Sequence, residues 1–465
     1  MSKQFQVMAP ARAYGVLVGV AGMILAIGLA LPLTLASRPS IDIVGDRANN
    51  GPIDAQGSID TGGTATVSTA DQLPDTSQGV TDTAIKVGVV LLDLTSVEPL
   101  GMGVPNFTTE IQQAAFESLF DAVNAEGGVN GRQIEAVYES RDPLATTGPH
   151  SDKAICLRFA EDEQVFAVIG FTYEAGSCAA VQHQLPVVTQ KAALEQVYED
   201  SHGLLVTTDP SLERTARNWA EVVVESGLAE GHALGMVSVA DGGEVQLPAH
   251  AAAEELERLG HPLTVMAELD QDGSVPEAIA MIQDMKSEGI DSVMLAVDFA
   301  YALRFIALAE DQRYFPQYLT SDLGALARGG LLVNAGKSLD GAIGFSSNTK
   351  PAAGEAETPE NRACRESYNE TTDAPDIPEG EGNAVVVVCA VVDIFLQALA
   401  GAGEEPSPRS FVESVEDLGT VDGLPVVLPG VFGPGKTDYS DGLQPVIWSS
   451  DCACYEPNGD PIDLR

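Results

Sequence analysis

IKVGVVLL at residues 85–92 is followed by an amphipathic segment at 107–125 and by QIEAVY at 133–138, and this arrangement sets the architecture of the chain. The first piece is a β-branched run of the length expected for a strand buried on both faces. In the second, apolar side chains recur at every third or fourth position, which predicts a helix. Gly127 and Gly128 end that helix, and the third piece alternates polar and apolar residues, as in a strand near a sheet edge. The stretch therefore predicts a βαβ unit.

The same alternation of helix and strand continues to about residue 450. Short apolar runs predict strands at 165–170, 185–189, 203–208, 234–239, 263–268, 292–297, 317–320, 342–345 and 445–449. Apolar or amphipathic segments predict helices at 211–226, 249–259, 276–288, 300–312, 383–400 and 408–418. Strands separated by helices of this length predict parallel sheets with helices on both faces, so the fold class is α/β.

The turn NAEGGVNGRQIE at residues 124–135 resembles the turn after the first helix of type I periplasmic binding proteins, the leucine/isoleucine/valine-binding family of transporter receptors. The resemblance in element order extends from about residue 84 to about residue 450. It implies two doubly wound parallel-sheet lobes joined by three hinge crossings. Lobe one would contain residues 84–207 and 341–405, and lobe two would contain residues 208–340 and 406–465. The strand at 342–345 would then return to lobe one, and the helix at 408–418 would belong to lobe two.

The N-terminal region predicts export. Residues 13–37 carry no charged side chain and are long and apolar enough to cross a bilayer. Lys3 and Arg12 precede them, which places that end in the cytoplasm and exports the rest. Residues 1–36 are thus a signal peptide or a retained membrane anchor, and both remain open. Residues 37–83, rich in Ser, Thr, Gly, Asp and Pro, are predicted to be a disordered linker. We therefore expect the remaining chain to fold without its first 83 residues.

Charge and motifs exclude several classes of function. The formal net charge of −44 repels nucleic acid and anionic lipid and is typical of an acidic or salt-adapted exported surface. GVFGPGKT at residues 430–437 matches the phosphate-loop pattern, but the turn-forming DYSDG follows it where a helix is required, so an ordinary loop is predicted. The histidines are scattered singly, and the sequence contains neither a nucleophile elbow nor a zinc-protease motif. No enzyme activity, cofactor or metal is expected.

Candidate ligand-binding residues follow the predicted strands, at the carboxyl ends where open α/β sheets bind ligands. The resemblance implies that hydroxyl and backbone N–H groups behind the third strand hold the α-carboxylate of an amino acid, and Tyr173, Ser177 and Lys191 match that role. It also implies that an acid of lobe two holds the amine, and Asp322 falls at that place. Each acid could instead be a solvated strand end or a helix cap. Asp241, Asp298 and Tyr301 complete the predicted set.

Six cysteines in an exported chain predict disulfides. The resemblance implies a bridge between Cys156 and Cys178, and Cys364 with Cys389 is the second expected pair. The close spacing of the two cysteines in residues 452–454 makes a direct bridge strained, and pairing with the other four stays open.

The resemblance implies an extracytoplasmic solute-binding protein that closes on a small ligand, an amino acid or related amine, and presents it to the permease of an ABC-type importer. A sensor of the same fold, which signals to a partner protein, is the alternative. A membrane-tethered adhesion protein with a vestigial cleft is a more distant one.

Overall fold

The computed structural model describes residues 72–75, 77–98, 104–270, 274–328, 339–351 and 355–464. The predicted signal or anchor segment and the first part of the predicted linker lie outside the described residues. The described chain forms two α/β lobes, each built on one sheet.

Lobe one contains a sheet of five parallel strands: β1 (Ala84–Leu92), β2 (Gln133–Arg141), β3 (Ala167–Gly170), β4 (Val187–Thr189) and β5 (Leu205–Thr207). They lie in the order β2-β1-β3-β4-β5. The predicted βαβ unit is confirmed, because β1 pairs in parallel with β2 and β2 is an edge strand. The glycine turn before β2 is required, since Gly128 has φ +76° and a Cβ there would lie 1.9 Å from the Arg132 carbonyl oxygen.

Lobe two contains the strands β6 (Leu234–Ala240), β7 (Val265–Asp270), β8 (Ser292–Leu295), β9 (Gln317–Ser321), β10 (Ile343–Ser346), β11 (Gly442–Ser449), β12 (Cys454–Pro457) and β13 (Ile462–Asp463). Their order is β12-β11-β10-β9-β8-β6-β7, with β13 also paired to β11. The strands from β6 to β10 are parallel, and the later ones are antiparallel.

The helices are α1 (Thr109–Ala125), α2 (Asp152–Leu157), α3 (Tyr173–His183), α4 (Glu195–Asp200), α5 (Leu212–Glu225), α6 (Gln246–Arg258), α7 (Val275–Ser287), α8 (Phe299–Asp311), α9 (Pro359–Thr371), α10 (Asn383–Gly401) and α11 (Pro408–Leu418). A π-helical turn at Arg158–Asp162 extends α2, and a 3₁₀ segment covers Leu323–Arg328. Helix α1 begins where Thr108 accepts the Ile111 N–H, as an N-cap does.

Helix α10 is the core helix of lobe one. Among the described residues it is the one helix long and apolar enough to cross a membrane, yet most of it is buried. It packs against α1 and α11, and Val388, Val391 and Phe395 lie in the largest apolar cluster. Its uniform apolarity therefore reflects burial inside the lobe.

Two predicted lobe assignments are wrong. Strand β10 pairs with β9 and β11 and so belongs to lobe two, because its backbone donors and acceptors complete the second sheet. Helix α11 belongs to lobe one, where the Phe411 ring packs 6.2 Å from the rings of Phe166 and Phe395. The return to lobe one therefore lies after β10, and the return to lobe two lies just before β11.

The last part of the predicted linker is ordered against lobe one, which corrects its boundary at residue 83. Leu73 is 3% exposed and lies in an apolar cluster with Val412 of α11. The Gln78 amide donates to two backbone carbonyl oxygens, at 3.2 and 3.1 Å, and Val80 bridges to Ile85. We call residues 72–75 and 77–83 the docked segment.

The three crossings between the lobes lie side by side. Thr207 donates its N–H to the Thr437 carbonyl oxygen at 2.9 Å and accepts the Tyr439 N–H at 2.9 Å. Leu428 donates its N–H to the Ser347 carbonyl oxygen at 3.2 Å. These backbone hydrogen bonds join the crossings into one hinge.

The three disulfides connect Cys156 to Cys178, Cys364 to Cys389, and Cys452 to Cys454. The first two are the expected pairs, and the third is the direct bridge that the sequence left open. The segment at 430–437 is a turn with a bridge between Gly433 and Lys436. The Lys436 ammonium donates to the carbonyl oxygens of Val431, Asp438 and Tyr439, so it stabilises this turn as a structural cation.

Candidate functional site

The carboxyl ends of the parallel strands of both lobes face the hinge, and the loops that follow them carry the candidate residues. Tyr173, Ser177 and Lys191 meet on lobe one, where they line one narrow cavity together with Thr189 and with Glu244 of lobe two. The cavity has room for about one water molecule. In this arrangement of the lobes the cavity is therefore too small for a ligand of several atoms.

An ion pair closes this cavity across the two lobes. The Lys191 ammonium lies 2.8 Å from the Glu244 carboxylate, in the loop between β6 and α6, and 4.8 Å from the centre of the Tyr173 ring. The resemblance implied a ligand contact for Lys191, and in this arrangement its charge is neutralised by Glu244.

Arg141 is a cation of the site that the sequence analysis missed. It ends β2, its guanidinium lies 4.2 Å above the Tyr173 ring, and its Nε donates to Asp152 at 2.8 Å. Asp152 also accepts the Ala175 N–H in the first turn of α3, at 3.2 Å. Tyr173 itself has φ +44°, which is unusual for a side chain of this size. The signal available in the sequence was a basic residue at the carboxyl end of a predicted strand.

Asp322 lies at the centre of the hinge. Its side chain is 3% exposed, and its Oδ2 accepts the Ser347 N–H at 2.7 Å, the Ser347 hydroxyl at 2.8 Å and the Ser346 hydroxyl at 3.1 Å. Its Oδ1 is buried and accepts no hydrogen bond from any described residue. The resemblance implied an acid here, and the structure has a buried carboxylate whose Oδ1 has no donor within the described part of the chain.

Three further charges surround Asp322. The Arg328 guanidinium bonds Asp209 and lies 3.7 Å from Asp322. Burial opposes the Arg328 charge, but the two carboxylates more than offset it and raise its pKa. Burial raises the pKa of Asp209 to about 6, against the opposing effect of Arg328. Burial also lowers the pKa of Lys350 to about 8, although Asp322 acts in the other direction. The cluster therefore holds two acids and two bases, which balance at neutral pH.

Asp241 and Asp298 cap helices, which is the alternative to ligand binding that the sequence left open for the acids. Asp241 accepts the N–H groups of Gly243, Val245 and Gln246 where α6 begins. Asp298 caps α8 and accepts the N–H groups of its first residues at 2.8 and 3.1 Å. Both carboxylates therefore stabilise helix N-termini. Tyr301, also in the first turn of α8, packs against the core of lobe two.

Known proteins similar to the chain share this architecture. Residues 62–443 match the family model described as periplasmic binding protein. A substrate-binding protein of an ABC transporter from Desulfitobacterium hafniense, in complex with Leu, has 16% identity and a TM-score of 0.58 and covers 81% of this chain and 100% of its own. One from R. palustris, in complex with 4-hydroxybenzoate, has 18% identity and a TM-score of 0.60, with coverages of 82% and 98%.

A fatty acid ABC transporter substrate-binding protein from Thermomonospora curvata has 18% identity and a TM-score of 0.57, and covers 84% of this chain and 95% of its own. The chain matches no curated protein by sequence. Identities of this size establish the shared fold and leave the ligand open.

Proposed function

Because the chain belongs to the type I periplasmic binding protein family, we propose that it binds an amino acid between its lobes and presents it to an ABC-type permease. Members of this family are exported solute-binding proteins of ABC transporters and catalyse no reaction, and the chain is one of them. The identity of the ligand as an amino acid is the part that we propose, because the similar structures are of proteins that bind different ligands.

A carboxylate on the ligand is supported by the lobe-one wall and by the similar proteins. Leucine, 4-hydroxybenzoate and fatty acids all carry a carboxylate. On lobe one the Ser177 hydroxyl and the first turn of α3 offer hydrogen-bond donors, and a helix N-terminus favours an anion. Arg141 and Lys191 add positive charge beside Tyr173. We expect the ligand to take the place of Glu244 as the anion nearest Lys191.

An ammonium on the ligand is supported by Asp322, and this observation carries the proposal. Its Oδ1 is buried without a donor among the described residues, and an unpaired buried acceptor costs about 1–3 kcal/mol. A ligand N–H would remove that cost when the lobes close. Arg328 and Lys350 already oppose the charge of Asp322, so the ligand is expected to bring a balancing carboxylate, as a zwitterionic amino acid does.

Titration calorimetry can test the ligand's ammonium separately from its carboxylate. The wild type should bind leucine or another amino acid more tightly than the same acid without its amine, such as 4-methylpentanoate. Asp322→Ala should weaken amino-acid binding by about 2–5 kcal/mol and abolish the preference over the amine-free acid. Glu413→Ala, on the exposed face of α11, is the control and should bind as the wild type does. Binding of only amine-free or neutral solutes would refute the amino-acid assignment, and an unchanged affinity in Asp322→Ala would refute the role of the carboxylate.

We also propose that residues 1–36 direct export and hold the chain at the membrane when they are retained. The uncharged apolar run behind Lys3 and Arg12 supports this. N-terminal sequencing of the exported protein decides between cleavage and retention. A cytoplasmic protein with an intact N-terminus would refute both.

A further inference from the structure

The Cys452–Cys454 disulfide lies apart from the ligand site. It closes the turn between β11 and β12. Strand β11 runs antiparallel to β10, so its carboxyl end lies at the edge of the sheet that is remote from the hinge. Cys452 is exposed, whereas Cys156 and Cys364 of the other two bridges are 1% and 8% exposed. This bridge is therefore the one that a reactant in solution can reach most readily.

The Cys452–Cys454 bridge is expected to contribute little to the free energy of unfolding. It encloses a single residue, and the loop-entropy effect of a disulfide grows with the length of the loop. Other contacts already hold the hairpin. The Tyr455 hydroxyl shares a hydrogen bond of 2.7 Å with that of Thr320, the Tyr455 ring packs 5.2 Å from that of Trp448, and the Ser450 N–H donates to Asp340.

The surroundings favour opening of the bridge at one sulfur. Ala453, between the cysteines, has φ +51°, a conformation that costs energy for a residue with a Cβ. The carbonyl oxygens of Ser449 and Cys454 each lie 3.7 Å from the Cys452 Sγ. The partial negative charge of these two oxygens disfavours a thiolate on Cys452. Attack on the Cys452 Sγ, which releases Cys454 as the thiolate, is therefore favoured over attack on the Cys454 Sγ.

We propose that Cys452–Cys454 is a thiol–disulfide exchange site that takes electrons from dithiols. The thiolate of the dithiol attacks the exposed Cys452 Sγ, the Cys452–Cys454 bond breaks, and Cys454 leaves as a thiolate that takes up a proton. The second thiol of the dithiol then displaces Cys452 from the mixed disulfide. Two electrons and two protons pass to the cysteines, and the dithiol becomes a disulfide.

The first test measures the three bridges side by side. The folded full chain is equilibrated with graded ratios of reduced to oxidised dithiothreitol, quenched with acid, alkylated and mapped by peptide mass spectrometry. Cys452 and Cys454 should become alkylated together at a ratio at least tenfold lower than that required for Cys156–Cys178 or Cys364–Cys389. Reduction of all three bridges at one ratio, or of Cys452–Cys454 last, would overturn the proposal.

Matched serine variants test the direction of attack and the absence of a structural role. With oxidised glutathione the protein thiolate is the attacking group, so Cys452→Ser should form its mixed disulfide on Cys454 several times faster than Cys454→Ser forms one on Cys452, because the nearby carbonyl oxygens disfavour the Cys452 thiolate. The double variant Cys452→Ser/Cys454→Ser should keep the melting temperature of the wild type, whereas Cys364→Ser/Cys389→Ser should lower it. Equal trapping rates, or an equal loss of stability in both double variants, would show an ordinary structural bridge.

Discussion

The charged residues at the hinge form a cluster of two acids and two bases, which the large excess of acids in the composition does not suggest. Acids outnumber bases by 68 to 24 in the chain, yet the partly buried Arg328 and Lys350 meet two buried acids in one cluster. Because such charges are tolerated only when they are paired, the cluster must form as a unit. Its titration should therefore be visible in the stability of the whole protein.

Lys350 gives the clearest pH dependence. Its pKa is lowered to about 8 from an ordinary value of 10.5, so the folded state loses this proton before the unfolded state does. The unfolding free energy should consequently rise between pH 8 and pH 10, by on the order of 2 kcal/mol. Lys350→Met should remove this rise, and the exposed Lys153→Met should retain it. Urea unfolding at pH 8 and at pH 10 measures the change in unfolding free energy. If this change is the same in the wild type and in both variants, the Lys350 charge is not buried in the folded state.

The sequence singled out three acids as candidates but could not distinguish their roles. Asp241, Asp298 and Asp322 all follow buried strands, and the local pattern is the same in each case. The difference lies in what comes next. Regular helices begin after the first two and use their carboxylates as caps, whereas Asp322 is held by the hydroxyl groups of Ser346 and Ser347, which are distant in sequence.

The docked segment shows a further limit of sequence patterns. Residues 72–83 have no periodicity, so their composition predicted a linker, yet Leu73 fills a place between α2 and α11. The fragment 84–465 should therefore be less stable than the fragment 72–465 by about 2–4 kcal/mol, given the apolar area lost with Leu73 and the hydrogen bonds of Gln78. Leu73→Ala in the longer fragment should account for about half of the difference. If the fragment 84–465, the fragment 72–465 and its Leu73→Ala variant have equal urea midpoints, the docked segment adds no stability and the linker ends at residue 83, as the sequence predicted.

Helix and strand positions were predictable because they depend on local periodicity. Helix α11 was predicted with its observed bounds, and α10 and β1 within one residue of theirs. The lobe to which a late element belongs depends on contacts with residues hundreds of positions away. Nothing within β10 distinguishes a strand that pairs with β9 from one that pairs with the first sheet, and the Phe411 side chain does not reveal its contact with Phe166.

For the whole molecule, the proposed function requires that the lobes open and close about the hinge. The crossings are joined by backbone hydrogen bonds, and Arg214 of α5 adds ion pairs with Asp438 and Asp441 in the third crossing. These contacts lie within the hinge, so we expect them to be present in both the open and the closed form. What differs between open and closed forms must be the contacts across the cleft, and the pair of Lys191 and Glu244 is such a contact.

This pair should therefore favour the closed form. Both side chains are partly exposed, at 36% and 46%, so the pair is expected to contribute about 0.2–1 kcal/mol, up to a fivefold change in the ratio of closed to open molecules. Lys191→Glu should increase the radius of gyration of the ligand-free protein in X-ray scattering at low salt, and adding Glu244→Lys should restore it.

The pair of Lys86 and Glu163 provides the control, because it has similar exposure but lies within lobe one. Reversal of its charges, singly or together, should leave the radius of gyration unchanged. Molar salt should remove the effect of Lys191→Glu, since screening weakens exposed pairs. If Lys191→Glu matches the wild type at low salt, the closed form does not depend on this pair, and the ligand itself must supply the attraction that closes the lobes.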